Sequence, residues 1–229
     1  MTSSVRTRFV CILALPLLLL TFATPAWSQE QYGFAKEGGF VGVAGVLDAK
    51  FSDKNFDGSS IYRTVNGDEF MILPRLEGQT MIRGILGVRA TKAAFELSYD
   101  RTRHSGTFLG ETGGEATFQA VNVDGRYFFA TSGRVQPNVL VGGSFPWMTL
   151  KDGSFLDDDM GDAHYKGFGV NTEAGVTVYP RPQFGISAGY RYRLMWFDRS
   201  TGVSDTEFKL RPRFRENSGS VVLTGLYTF

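Results

Sequence analysis

Val221-Val222-Leu223-Thr224-Gly225-Leu226-Tyr227-Thr228-Phe229 is the last stretch of the 229-residue chain. Its odd positions read Val, Leu, Gly, Tyr, Phe, and its even positions read Val222, Thr224, Leu226, Thr228. A period of two describes a strand with two unlike faces. The sequence stops on an aromatic ring with no polar tail. An exposed strand in water gains little from such an end. A strand that closes a cylinder inside a bilayer needs it, because every backbone polar group must be paired there and aromatic rings favour the lipid–water boundary. The stretch predicts an all-β, membrane-spanning barrel.

The other end of the chain carries Arg6 and Arg8, an apolar run over 9–20, and the small residues of Ala26-Trp27-Ser28. This pattern predicts a signal peptide over 1–28, leaving 29–229 as a single barrel domain. The apolar run is too short for a comfortable spanning helix. Cys11, the only cysteine, sits inside that segment and precedes most of the apolar run, a poor place for a lipoprotein anchor. The mature chain is therefore expected to use neither disulfide nor thiolate chemistry. Without Arg6 and Arg8 the formal charge passes from +1 to −1, which offers no footprint for nucleic acid. Twenty-eight glycines and 14% aromatic residues, at a mean hydropathy of −0.11, suit a membrane barrel. A secreted sandwich or lipocalin-like barrel would require a polar outward face.

Alternation runs through the chain. Strands are expected over 39–51, 81–90, around Phe95-Leu97-Tyr99, over 116–129, 136–150, 167–179 and 184–197, and at the C-terminus. The seventh is the clearest, with Phe184, Ile186, Ala188, Tyr190, Tyr192, Leu194 and Trp196 opposing Ser187, Arg191 and Arg193. Short turns are expected at Thr91-Lys92, at 130–135 and at Pro180-Arg181-Pro182. Long loops are expected over 52–80, 102–115 and 151–166, and before the eighth strand. Long and short connections alternate, as they do when short turns face the periplasm and long loops face outward.

With Phe229, with Tyr227 two places before it, and with eight strands of about ten residues or more, the chain resembles the eight-stranded outer-membrane barrels of the OmpA/OmpX type, broadly the porin-family β-barrels. The resemblance covers nearly all of 29–229. It implies an antiparallel up-and-down barrel in the outer membrane of a Gram-negative bacterium. It also implies that Tyr227 and Phe229 form the assembly signal read by the barrel-assembly machinery. A monomer is expected.

Parity assigns Asp48, Lys50, Arg83, Arg89, Glu96, Asp100, Asp124, Arg126, Glu173, Arg191 and Arg193 to the lumen. Eight strands enclose just enough space for side chains, and buried charges must be paired or hydrated. A salt-bridged plug is the expectation, and a narrow small-solute conduit gated by Arg–Glu pairs is the alternative. Arg101 and Arg103 continue the lipid-facing parity of the third strand, as Lys209, Arg211, Arg213 and Arg215 do for the eighth if no bulge intervenes. They are expected to meet lipopolysaccharide phosphates, which arginine can grip with two hydrogen bonds. Trp147 and Trp196 are placed in the upper aromatic girdle, with Tyr127, Phe129, Tyr227 and Phe229 in the lower.

Other candidates carry less. Asp53-Lys54-Asn55-Phe56-Asp57-Gly58 matches the first half of a calcium loop, but Thr64 stands where a bidentate Glu belongs. Asp157-Asp158-Asp159 with Asp162 and His164 reads as a solvated acidic loop. Some small outer-membrane barrels trim or acylate lipid A, and that chemistry needs a nucleophile beside a base. The mature chain offers only His104 and His164, and Ser105 beside His104 would point to the opposite face of a strand. No cofactor and no catalysis are expected. The expected role is envelope integrity or surface interaction through the outer loops.

Overall fold

The computed structural model describes residues 33–51, 61–63, 70–72, 75–76, 79–108, 111–151, 162–201 and 207–229. The predicted signal segment 1–28 and the acidic stretches 53–58 and 157–159 lie outside the described residues.

In chain order the elements are β1 (Gly38–Phe51), the short β2 (Ile61–Arg63), β3 (Phe70–Ile72) and β4 (Arg75–Leu76), then β5 (Gln79–Arg89), β6 (Ala93–Phe108), β7 (Glu111–Phe128), β8 (Val135–Leu150), β9 (Ala163–Arg181), β10 (Phe184–Thr201) and β11 (Glu207–Thr228). The eight long strands pair in the order β6-β5-β1-β11-β10-β9-β8-β7, and β6 pairs with β7 to close the ring. All neighbours are antiparallel. Closure leaves no sheet edge within the hydrocarbon. The fold is an eight-stranded, all-antiparallel β-barrel, as the alternation indicates.

The period of two separates the faces cleanly. Val43, Ile82, Leu86, Val141, Phe145, Ile186 and Tyr190 are at least half exposed on the outer wall, while Arg83, Asp100, Asn122, Asp124 and Asn171 are buried inside. An apolar exterior around a polar interior inverts the soluble pattern, because here the solvent of the outer face is lipid.

β11 lies between β1 and β10, with Phe40 opposite Thr228 and Phe184 opposite Tyr227. The Phe229 amide donates to the Gly39 carbonyl at 2.9 Å. Gly38 takes φ +134°, and a Cβ there would lie 2.8 Å from the Phe229 carbonyl oxygen. Gly38→Val is therefore expected to destabilise the barrel by about 1–3 kcal/mol through backbone strain alone. Urea unfolding of the refolded barrel in lipid vesicles measures this. An unchanged midpoint would show that the closing seam relaxes without loss.

Three expectations need correction. The second loop, expected over 102–115, is mostly a hairpin, since β6 runs to Phe108 and β7 begins at Glu111. Pairing needs a neighbour and not lipid, so the ladder continues above the membrane. The third turn is shorter than expected, because β9 continues through Pro180 to Arg181. The register slips between Phe184 and Ile186, and such a bulge accommodates a proline that cannot donate. The alternation of β1 is broken by one extra residue between Leu47 and Lys50. A one-residue slip exchanges the two faces, so alternation does not run unbroken along the strand.

Candidate functional site

The inward residues form three layers. The middle layer is charged. Arg83 grips both oxygens of Asp100 through Nε and Nη2, the second at 3.1 Å, and Arg193 donates to the same carboxylate. Arg126 Nε donates to Glu96 at 2.6 Å, and its Nη1 donates to Glu173 at 2.9 Å. Arg191 donates to Glu173 at 2.8 Å and to Asp124 at 3.3 Å. Three asparagines join these clusters. Asn171 donates to Asp124 at 3.1 Å and accepts from Arg193 at 3.0 Å, while Asn122 donates to Asp100 at 3.1 Å and accepts from Arg193 at 3.2 Å. Asn138 accepts from Arg126 at 2.6 Å. Four arginines thus meet four carboxylates in one network reaching from β5 to β10. Each ion is paired and hydrogen-bonded, the condition under which buried charge is tolerated. β8 makes room with Gly142, where a Cβ would lie 2.0 Å from Asp124 Oδ1.

The periplasmic layer is built on Arg89. Its guanidinium lies 3.7 Å from the Phe128 ring centroid and 5.0 Å from that of Tyr179, and it donates to Tyr179 Oη and Gln136 Oε1. Gln136 then ties this layer to the 129–134 turn through the Thr131 and Gly133 carbonyls, both at 3.0 Å. Residues 33–37 strap across the three turns. Phe34 N–H donates to Thr131 at 2.8 Å, Lys36 N–H donates to Pro182 at 2.8 Å, and Thr91 Oγ1 donates to the Glu37 carboxylate. Ala35 is buried between them.

The extracellular layer is mostly apolar, with Thr102 and His104 of β6 buried at the same end. Phe118, Met148, Tyr165, Met195 and Phe197 are all buried, with Met81 beside them. Arg193 lies 5.7 Å from the Phe118 ring, where the charged layer meets the apolar one. Charge alone does not mark this layer, nor Asn122, Asn138 and Asn171. The alternation that places Asp124 inside also places Phe118 and Asn122 there, since all three are even positions on β7.

The structure brings together Arg83, Glu96, Asp124, Arg126, Glu173, Arg191 and Arg193, with Asp100, and sets Arg89 in the layer below. The side chains of Asp48 and Lys50 lie outside the described residues, as do those of Lys209, Arg211 and Arg213. The expected outward continuity from Arg215 to Lys209 is interrupted. Phe214 pairs with Phe197 and Lys209 with Arg199, so three residues of β11 are in excess there. Arg101, Arg103 and Arg215 are exposed, and Arg103 pairs with Glu115 at 3.1 Å. His104 is buried in the lumen, whereas His164 is exposed on the outer wall and hydrogen-bonds Thr149 at 3.0 Å. The two histidines therefore lie on opposite faces of the barrel wall. Among the described residues no group of three His, Cys, Asp or Glu is placed to hold a metal.

Aromatic rings mark the outer wall. Phe168 stacks on Trp196 at 5.2 Å and Tyr99 lies 6.1 Å from Trp147, while Tyr127 meets Phe129 edge-on at 5.3 Å near the turns.

Residues 14–211 match the family model described as outer membrane protein beta-barrel domain. The chain belongs to this family. The barrel is similar to Neisserial surface protein A, at 17% identity over 84% of this chain and 100% of that one, with a TM-score of 0.54. It is also similar to OprG from Pseudomonas aeruginosa, at 14% identity over 87% and 99%, with a TM-score of 0.52. AlkL, solved in lipid bilayers, shares 11% identity over 89% and 96%, with a TM-score of 0.50. At these identities the likeness is one of fold. No curated protein sequence matches the chain. The barrel is an eight-stranded member of the OmpA/OmpX type and resides in the outer membrane of a Gram-negative bacterium.

Proposed function

We propose that the barrel is a filled, non-catalytic anchor, and that its work in envelope integrity and surface contact is done by its outer wall and extracellular hairpins. The observation that supports this reading is the sequence of layers in the lumen. A paired ion network lies between an apolar layer of Phe118, Met148, Tyr165, Met195 and Phe197 and a periplasmic layer of Arg89, Phe128 and Tyr179. Water and ions crossing this lumen would have to pass tightly buried aromatic and thioether side chains. A small-solute conduit needs a continuous hydrated path instead. Burial of His104 away from the outer wall adds support for the non-catalytic reading. Tyr227 and Phe229 are assigned, within the same proposal, to recognition by the assembly machinery.

Single-channel recording in a planar bilayer tests the proposal. The refolded mature barrel is expected to be silent, with folding shown by a heat-dependent gel shift. Steady, reproducible openings from the folded protein would overturn the anchor and support the conduit.

A further inference from the structure

On the extracellular half of the outer wall, cross-strand register sets two parallel rows on β6 to β9. One row reads Arg101, Gln119, Trp147, Lys166. The row above it reads Arg103, Thr117, Thr149, His164. Arg101, Arg103, Lys166 and His164 are exposed, and Trp147, Thr149, Thr117 and Gln119 are half-buried. The rows thus have basic groups at both ends and a neutral floor between. The β8–β9 end contains a hollow of about 220 Å³ lined by Trp147, Thr149, His164 and Lys166, with Met148 and Tyr165 behind. The floor is held in place. Tyr99 Oη donates to Gln119 Oε1, and Thr149 hydrogen-bonds His164.

The height of the rows decides what can occupy them. Beneath the lower row lie Tyr99 and Phe168, and beneath those the exposed Leu97, Val123, Val141 and Val170 of the lipid-facing belt. The rows therefore sit where hydrocarbon gives way to headgroups. A ligand here hangs from the outer leaflet. Three inter-strand steps separate β6 from β9, about 14 Å at the usual sheet spacing. A cation pair, a neutral hydrogen-bonding and aromatic floor, and a second basic pair fit a disaccharide carrying a phosphate at each end.

We infer that β6 to β9 form a shelf for the bis-phosphorylated glucosamine disaccharide of lipid A. Arg101 and Arg103 take one phosphate, and Lys166 and His164 take the other. The sugar rests on Trp147 between Gln119 and Thr149. Two acids border the shelf: the exposed Asp162 lies two residues before His164, and Glu115 has its charge held by Arg103 at 3.1 Å and Lys151 at 3.8 Å. Phosphate at the Arg103 end competes with Glu115 for the same guanidinium. The inference deepens the anchor reading and rests on its placement of the outer wall in the outer leaflet.

The test is calorimetric titration of the refolded barrel in bicelles with bis-phosphorylated lipid A, mono-phosphorylated lipid A and phosphatidylglycerol. The wild-type barrel is expected to prefer the bis-phosphorylated form by about tenfold or more, the worth of one charge-assisted contact. Arg101→Gln with Arg103→Gln should abolish that preference, and so should Lys166→Gln with His164→Asn. Lys166→Arg should keep it. A heat-dependent gel shift shows that each variant is folded. Equal binding of all three lipids, or variants that still discriminate, would overturn the shelf and leave a general attraction to anionic surface. A conducting lumen, read separately in the planar bilayer, would overturn the filled anchor without touching this result.

Discussion

Asp100→Leu is expected to destabilise the barrel by about 3–5 kcal/mol, the cost of removing one partner from a buried ion cluster. Asp100 is fully buried and accepts from Arg83, Arg193 and Asn122. Its loss leaves two guanidinium groups facing each other without a counter-charge. Lipid does not relieve that repulsion, because the groups face inward and the wall is closed. Asp100→Asn should fall between wild type and Asp100→Leu, since an amide accepts hydrogen bonds but supplies no charge. The triple variant Arg83→Met, Asp100→Leu, Arg193→Met should recover much of the loss, because a fully apolar cluster has no orphaned ion. Urea unfolding in lipid vesicles, followed by tryptophan fluorescence, gives the order. If Asp100→Leu unfolds at the wild-type midpoint, the ion network does not hold this barrel together.

The second large effect is expected in the extracellular layer. Phe118→Ala and Phe197→Ala should each cost about 3–5 kcal/mol, the range for emptying a buried phenylalanine site. Phe118 and Phe197 are both buried and stand among Tyr165, Met148 and Met195, and the thioethers of the two methionines adapt only in part to the void. The same unfolding measurement reads the loss. Each single variant should remain silent in the planar bilayer, because the ion network and the Arg89 layer still fill the lumen below. Steady conductance from Phe118→Ala alone would mean that the apolar layer is the only seal.

Much of this arrangement is legible in one dimension. The parity that sets Phe184, Ile186 and Tyr190 against Ser187, Arg191 and Arg193 comes from the backbone itself, since successive side chains on a strand point to opposite sides. It places Asp124 and Glu173 inside and Tyr127 and Val141 outside without reference to any partner. Alternation is lost where the register slips. Lys50 follows an extra residue after Leu47, and Lys209 stands opposite Arg199 across a three-residue excess in β11. Local alternation cannot foresee such slips, because they arise from the fit between two strands. The end of a strand is equally hidden. The 102–108 segment reads as polar loop, yet it pairs with 111–118 because a neighbour is present to accept its hydrogen bonds.

The sequence by itself determined the solvent of each face, since alternation and composition are properties of single strands. Only the closed ring decided which ion meets which. Arg193 and Asp100 lie 93 residues apart and share a hydrogen bond because β10 and β6 face each other across the lumen. Register across three successive hairpins likewise set Arg101, Trp147 and Lys166 in one row, and hydrogen bonds to the turns hold residues 33–37 across them. Those contacts depend on strand order, register and barrel size together, and these are set by pairing energy summed over the whole sheet.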